Sequence, residues 1–252
     1  MFEETTMSHP VFTPLDLSPY KHLFVLTGAG VSVASGLSTY RGPGGLWEKA
    51  EVARIADARN LPETLPELWR LYSMRRRAAL EATPNGAHQA IADLHKRYEG
   101  EKTVIVVTQN VDGLHQRSGA QVIELHGSAF RTRCTNPRCP SEPFADTNVY
   151  ETVPLCPVCG EALRPDVVLF GESLNRGILE RVIKNLAECD LFLSVGTSGV
   201  VWPAAEFVRG AASVGARTIS VNVESAIRQN PAYREEYLGP AETVLPALFG
   251  FA

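Results

Sequence analysis

Apolar positions along the chain gather into short β-branched or aliphatic runs, and each run is closed at its carboxyl end by small or polar side chains. Residues 22–27 run into a glycine turn as HLFVLTGAG, and residues 103–107 run into Thr108, Gln109, Asn110 and Asp112. Residues 121–125 deliver His126 and Gly127, and residues 165–170 close on Gly171 and Glu172. Residues 190–195 end in Gly196-Thr197-Ser198, and residues 218–221 in Asn222-Val223-Glu224. Runs of this length and composition are buried-strand signals. Between them lie stretches with helical periodicity, at 61–82, 84–98, 174–188 and 203–214, and a short helix closes the chain. Strand alternating with helix, joined by right-handed crossovers, predicts an α/β fold with a doubly wound parallel sheet.

Helix 61–82 reads as an insert, because Leu65, Leu68, Leu71 and Tyr72 share one apolar face. Tyr72 and Arg75 are one turn apart and project from the same side. Arg75 also opens the run Arg75-Arg76-Arg77, which by composition reads as a solvated face. Helix 84–98 has Thr83 as its expected N-cap and Pro84 at the first helical position. His88 and His95 on that helix lack metal-ligand company and read as structural.

The 252 residues are 44% hydrophobic and 21% charged, ordinary for a globular protein with a real core. A net charge of −4 gives no general attraction to phosphate backbones or anionic lipid, so neither nucleic acid nor a membrane is an expected partner. The first residues, MFEETTMSHP, are acidic where a signal peptide is basic, and no run reaches a membrane span, so a cytoplasmic location is expected.

That compartment changes the reading of the cysteines. Four of the five, Cys134, Cys139, Cys156 and Cys159, fall in 26 residues as C-x4-C-x16-C-x2-C. Two close pairs separated by a ribbon suit tetrahedral zinc thiolate coordination, and four thiolates leave no open position, so one structural zinc is expected. Cys189 stands alone before a buried strand and reads as core.

Candidate chemistry sits at the strand ends. In an open parallel sheet the carboxyl ends of the strands line the ligand crevice. Amides, a carboxylate and the His126 imidazole brought there suggest a cofactor site, although Asn110 and Asp112 also suit a turn. Gly28 and Gly30 would let backbone N–H groups approach a phosphate, but Gly36 comes six residues later, so this is not the usual G-x-G-x-x-G. Glu224, a carboxylate at a strand terminus, is the better candidate for a ribose. The loop GLSTYRGPGGLW has the glycines and aromatics of a lid, with Arg41 facing a phosphate or sugar.

In order and approximate spacing, GAGVSVASG, Tyr40-Arg41-Gly42, TQNVD, Leu125-His126-Gly127, the cysteine pairs, Phe170-Gly171-Glu172, Gly196-Thr197-Ser198 and Asn222-Val223-Glu224 resemble the sirtuin family of NAD-dependent protein lysine deacylases. The resemblance runs from about residue 23 to 248. It implies a Rossmann-like domain (21–130 and 165–252) with a helical insert at about 43–83, a zinc-ribbon module (131–164) and an N-terminal extension (1–20). It also implies NAD as consumed co-substrate and acyl-lysine proteins or peptides as partners. Gly28, Ala29, Gly30, Arg41, Gln109, Asn110, Asp112, Gly196, Thr197, Ser198, Asn222, Glu224 and Ala241 match the family's dinucleotide contacts. His126 matches its base, with Asn110 beside it. Val168 and Phe170 lie where a substrate peptide adds as a strand. The implied products are free lysine, nicotinamide and O-acyl-ADP-ribose. Tyr72 and Arg75, as Y-x-x-R, match the pair with which the desuccinylase-type subclass holds an acidic acyl end, while acetyl removal stays open. Ala34, Tyr40, Asp166 and Leu169 depart from the family pattern. An NAD glycohydrolase or ADP-ribosyltransferase, or a non-catalytic NAD-binding module, are the alternatives.

Overall fold

The first apolar run becomes strand β1 (His22–Thr27), followed by a 3-10 turn (Ala29–Ser35). Helices α1 (Ala50–Ile55), α2 (Leu61–Glu81) and α3 (Gly86–Arg97) come next. Then follow β2 (Thr103–Thr108), α4 (Leu114–Arg117), β3 (Ile123–Glu124), β4 (Gly127–Cys134), β5 (Phe144–Ala145) and β6 (Leu163–Val167). The chain ends with α5 (Arg176–Ala187), β7 (Leu191–Val195), α6 (Phe207–Ser213), β8 (Arg217–Asn222), β9 (Glu235–Leu238) and α7 (Ala241–Phe249). This is a computed structural model, and it describes residues 12–39, 50–199 and 201–251. The expected lid residues Tyr40, Arg41 and Trp47, and the insert's first residues 43–49, lie outside the described residues.

Six parallel strands form the main sheet in the order β3-β2-β1-β7-β8-β9. Because a parallel strand is buried on both faces, the middle of β1 is apolar on both sides: Leu23 and Val25 enter the core beneath α3 and α7, and Phe24 and Leu26 that beneath α5 and α6. The strand order reverses between β1 and β7, and a ligand crevice is expected outside the carboxyl ends of those two strands. A second, three-stranded antiparallel sheet, β5-β4-β6, carries the cysteine loops and packs with α2. Residues 12–20 pack on the main core, with Leu17 buried and the Leu15 N–H donating to the Leu248 carbonyl at 2.8 Å.

Several local expectations are corrected. The N-cap of α3 is Asn85, not Thr83: its side chain accepts from the Ala87 N–H (2.9 Å), and its amide donates to the Val31 carbonyl (2.9 Å). One amide side chain thus caps the helix and ties it to the 3-10 turn, which neither Thr83 nor Pro84 does. The strand expected over 121–125 pairs only at Ile123 and Glu124, although the Leu125 N–H still reaches the Thr108 carbonyl at 2.9 Å. Helix 203–214 divides into a 3-10 turn (Ala204–Glu206) and α6.

The largest correction is Arg76, expected on a solvated face and found fully buried. It pairs with Asp146 at 3.0 Å, both side chains being almost completely enclosed. A helix turns about 100° per residue, so the middle of three arginines can face inward while Arg77 stays exposed. Breaking such a pair from one side costs about 3–5 kcal/mol.

Gly127 takes φ +79, and a Cβ built on it would lie 2.1 Å from the Asp166 carbonyl oxygen. That close approach lets β4 start against β6 immediately after His126, and the Val168 N–H then donates to the His126 carbonyl at 3.0 Å. Gly127→Ala should destabilise the protein by at least about 2 kcal/mol, through φ strain and the steric conflict together. Urea unfolding measures this, and an unchanged midpoint would contradict the packing.

Candidate active site at the strand-order reversal

The turns after β1 and β7 meet with no room for a Cβ at Gly28, Gly30 or Gly196. A Cβ on Gly28 would lie 2.7 Å from the Gly196 oxygen, one on Gly30 2.8 Å from Gly196 Cα, and one on Gly196 2.5 Å from the Val31 nitrogen. The Gly28 N–H donates to the Val195 carbonyl (3.0 Å) and the Gly30 N–H to the Gly196 carbonyl (2.8 Å). The expectation that these two N–H groups face a phosphate is therefore corrected: they fasten the two turns together, and the glycines are required because the backbones touch.

Above this junction opens a cavity of about 900 Å³. Gly28, Ala29 and Gly30 form its wall on the β1 side, and Gly196, Thr197 and Ser198 on the β7 side. Asn222, Glu224 and Ala241 line it further along the sheet edge, and Gln109, Asn110 and His126 line it from β2 and β3. Val168 and Phe170 line another side, with their N–H groups already given to the His126 and Ala56 carbonyls (3.0 and 2.9 Å).

The amides are held in fixed orientations. Asn110 Nδ2 donates to the Gly28 carbonyl at 3.1 Å, and since a carbonyl can only accept, this settles which end of the amide is nitrogen. The Asn110 Oδ1 therefore points the other way. Gln109 Nε2 donates to Thr197 Oγ1 (3.1 Å) and Asn222 Nδ2 to the Thr197 carbonyl (3.0 Å), so two amides from different strands clamp one residue of the β7 turn.

The same reasoning fixes the tautomer of His126. Its Nδ1 is 3.2 Å from the Gln109 carbonyl oxygen, so Nδ1 carries the proton and Nε2 keeps its lone pair. Burial lowers the His126 pKa from its ordinary 6.5, opposed by the Gln109 carbonyl, and the ring is neutral near pH 7.

Asp112 is not part of the cavity wall. It sits behind Asn110, accepting from Ser32 Oγ (2.8 Å) and from the Leu114 N–H (3.0 Å). Ser32 Oγ in turn receives Asn110 Nδ2 at 3.3 Å. Deeper still, His115 Nε2 lies 3.0 Å from Thr27 Oγ1, which donates to Thr108 Oγ1 (2.9 Å), and the His115 ring is 4.8 Å from that of His88. Burial pushes His115 down to about 3 and His88 down to about 4, so both rings are neutral spacers within a polar layer. Sequence reasoning missed Ser32 and His115. Ser32 comes two residues after GAG and His115 closes NVDGLH, so polar residues close to glycine turns were the available signal.

The four cysteine sulfurs lie within 4.8 Å of one another, with Cys134 to Cys159 at 3.5 Å and Cys139 to Cys156 at 3.7 Å. A tetrahedron with metal–sulfur bonds of about 2.3 Å has edges of about 3.8 Å, whereas a disulfide needs about 2.05 Å. The donor set fits a closed zinc site. None of the four lines the cavity, as a structural metal requires.

The Sir2 family model matches residues 28–203. The chain belongs to the Sir2 family. A relative in Pyrobaculum aerophilum, named NAD-dependent protein deacylase 2, is 44% identical over 235 residues, covering 92% of this chain and 91% of its own. The dog protein named mitochondrial NAD-dependent protein deacylase sirtuin-5 is 40% identical over 249 residues, covering 90% and 80%. Among solved structures, a Sir2 homolog in complex with NAD superposes with a TM-score of 0.84 at 34% identity, covering 96% of both chains. The six-stranded order and the cysteine sheet are thus the Sir2 fold.

Tyr72, 4% exposed, lines the cavity of this Sir2 chain, whereas Arg75, one turn on, is half-buried and is not in the described wall. Trp202, 77% exposed on the rim, gave no sequence signal beyond an aromatic before a proline. Removing the metal should free Cys134, Cys139, Cys156 and Cys159 while Cys189 stays protected in the core. A strong chelator should therefore make four thiols react rapidly with a disulfide reagent. Equal reactivity with and without chelator, or purified protein lacking stoichiometric zinc, would contradict the assignment.

Proposed function

We propose that this Sir2 chain is an NAD-dependent protein-lysine deacylase that removes succinyl- and malonyl-type groups, and acetyl groups, from lysine in proteins or peptides. The observation that carries the reading is His126 at the cavity wall with Nδ1–H bound to the Gln109 carbonyl and Nε2 unprotonated. NAD supplies an N-glycosidic bond whose cleavage releases nicotinamide and leaves its ribose carbon open to the acyl oxygen. For a co-substrate of this size the residues fit: the cavity is large, and the touching glycine turns and clamped amides form its floor.

Each side chain then has a task. His126 Nε2 takes the proton from a ribose hydroxyl, and its lowered pKa keeps it in the basic form. The Asn110 Oδ1 accepts from a neighbouring hydroxyl, held in place by Gly28, Ser32 and, behind them, Asp112. Glu224 and Asn222, at the end of β8, hold the second ribose. Ala29, Gly196, Thr197, Ser198 and Ala241, which line the cavity, would hold the rest of the dinucleotide, and the family resemblance assigns Arg41 to it as well. Val168 and Phe170 border the peptide. A solved Sir2 enzyme carrying a deacetylated p53 peptide and 3'-O-acetyl ADP-ribose, 29% identical with a TM-score of 0.81 and covering 94% of this chain, supports a peptide substrate.

The acidic acyl preference is supported by Tyr72 in the cavity wall, by Arg75 one helical turn away, and by similarity to proteins named sirtuin-5. A guanidinium matches a carboxylate in charge and geometry. A charge-assisted hydrogen bond of about 1.5–3 kcal/mol corresponds to roughly a ten- to hundredfold preference over a neutral chain. Matched succinyl- and acetyl-lysine peptides incubated with NAD and followed by mass spectrometry test the function directly. Free lysine peptide, nicotinamide and O-acyl-ADP-ribose should form in equal amounts; NAD loss without deacylation would contradict it. Arg75→Met should cut succinyl turnover by about ten- to hundredfold and acetyl turnover far less. Equal losses would remove the acyl-end role.

A further inference from the structure

Three successive turns of one stripe of α2, at Trp69, Ser73 and Arg76, are bonded to the cysteine-bearing sheet and to the loop between β5 and β6. Trp69 Nε1–H donates to the Leu163 carbonyl at 2.7 Å. Ser73 Oγ donates to the Tyr150 carbonyl (3.0 Å) and accepts the Tyr150 N–H (2.9 Å). Arg76 follows on the same stripe, and every N–H of its guanidinium has an acceptor. Nε donates to the Ala129 carbonyl (2.5 Å), Nη1 to Asp146 Oδ2 (3.0 Å) and the Asn148 carbonyl (2.7 Å). Nη2 donates to Thr132 Oγ1 (2.8 Å) and the Arg131 carbonyl (3.3 Å). The network closes on itself, since Thr132 Oγ1 also donates to Asp146 (2.5 Å) and the Asn148 N–H donates to Asp146 Oδ1 (3.0 Å).

Ala129, Arg131 and Thr132 all belong to β4, the strand that begins one residue after His126. Tyr72 and Arg75 each precede a member of the bonded stripe, Ser73 and Arg76, by one residue, about 100° around the helix. We propose that Arg76 is a positioning residue for acyl selectivity. Its planar five-donor fork locks the rotation and height of α2 against β4, and so fixes the distance between the acyl-end pair and the base at the other end of the substrate. Lysine, with three donors on one atom, cannot hold all these acceptors. Displacements near 1 Å are enough to change turnover by an order of magnitude or more. The inference rests on the acyl-end reading of Tyr72 and Arg75.

The test compares kcat and KM for matched succinyl and acetyl peptides, and KM for NAD, in the parent protein, Arg76→Lys and Ser73→Ala. Ser73→Ala removes only the Tyr150 contacts, and it carries the test alone if Arg76→Lys does not fold, as judged by a thermal melt. Arg76→Lys should lower the succinyl-to-acetyl ratio of kcat/KM by about tenfold, mainly through the succinyl KM, with the NAD KM and acetyl kcat kept. Ser73→Ala should move the ratio in the same direction by less. An unchanged ratio in folded variants, or parallel losses on both peptides, overturns the proposal. If the parent shows no acidic preference, or Arg75→Met leaves the ratio unmoved, the acyl-end reading itself fails and the proposal with it. An Arg75-dependent ratio indifferent to Arg76 and Ser73 overturns the positioning role alone.

Discussion

The site depends on one steric fact, the contact of two backbone turns at the point where the strand order reverses. Gly28 and Gly30 after β1 meet Gly196 after β7 at distances that exclude a Cβ on any of the three. With the turns this close, their N–H and carbonyl groups satisfy each other, and backbone meets backbone where the three glycines lie. The polar groups that line the cavity from Gln109, Asn110, His126, Thr197, Ser198, Asn222 and Glu224 are delivered at the carboxyl ends of strands around that junction. Gln109 and Asn222, from strands on opposite sides of β1 and β7, then clamp Thr197 and hold the β7 turn in place.

Behind the cavity wall the chain keeps a buried polar layer in which Asn110, Ser32 and Asp112 satisfy one another, while His115 bonds through Nε2 alone and its Nδ1 has no partner among the described residues. Asp112 accepts two hydrogen bonds, His88 and His115 are held neutral by burial, and Ser32 passes the order of Asp112 on to Asn110. Partly satisfied polar layers are costly in a low-dielectric interior, and satisfied ones rigidify what they touch. The consequence for chemistry is that Asn110 and His126 each present one defined atom, the amide oxygen and Nε2. The same logic recurs in the second sheet, where Arg76 and Asp146 join α2 to β4.

Five strands of the main sheet were legible because each is built on a short apolar run, whereas β9, Glu-Glu-Tyr-Leu, gave no such signal and the run at 165–170 became β6 of the antiparallel sheet. The strand ends were legible because polar residues crowd there against the pattern. The cysteine spacing stood out for the same reason: four thiols in 26 residues have few physical uses. Arg76 was not legible, since its partner Asp146 lies 70 residues away and a charge run carries no trace of a distant carboxylate. The glycine requirement at 28 and 30 was visible but its cause was not, because the opposing Gly196 comes from another strand. Asp112 read as a contact and stands one layer back, a difference of depth that one-dimensional spacing does not encode. The Asn85 cap lost to Thr83 in the sequence because its second role, donating to Val31 and Ser35, is tertiary.

The central claim is that a neutral imidazole at position 126 takes a proton in the cavity. The most direct measurement is the pH dependence of kcat/KM for an acyl-lysine peptide with NAD, in the parent and in His126→Ala, with NAD binding measured in both. Since burial lowers the His126 pKa from 6.5, the parent should stay active down to pH 6.5 and lose activity only below it as Nε2 is protonated. His126→Ala should bind NAD and fail to turn over. Sustained turnover by His126→Ala, or an acid limb above pH 6.5 in the parent, would contradict the claim.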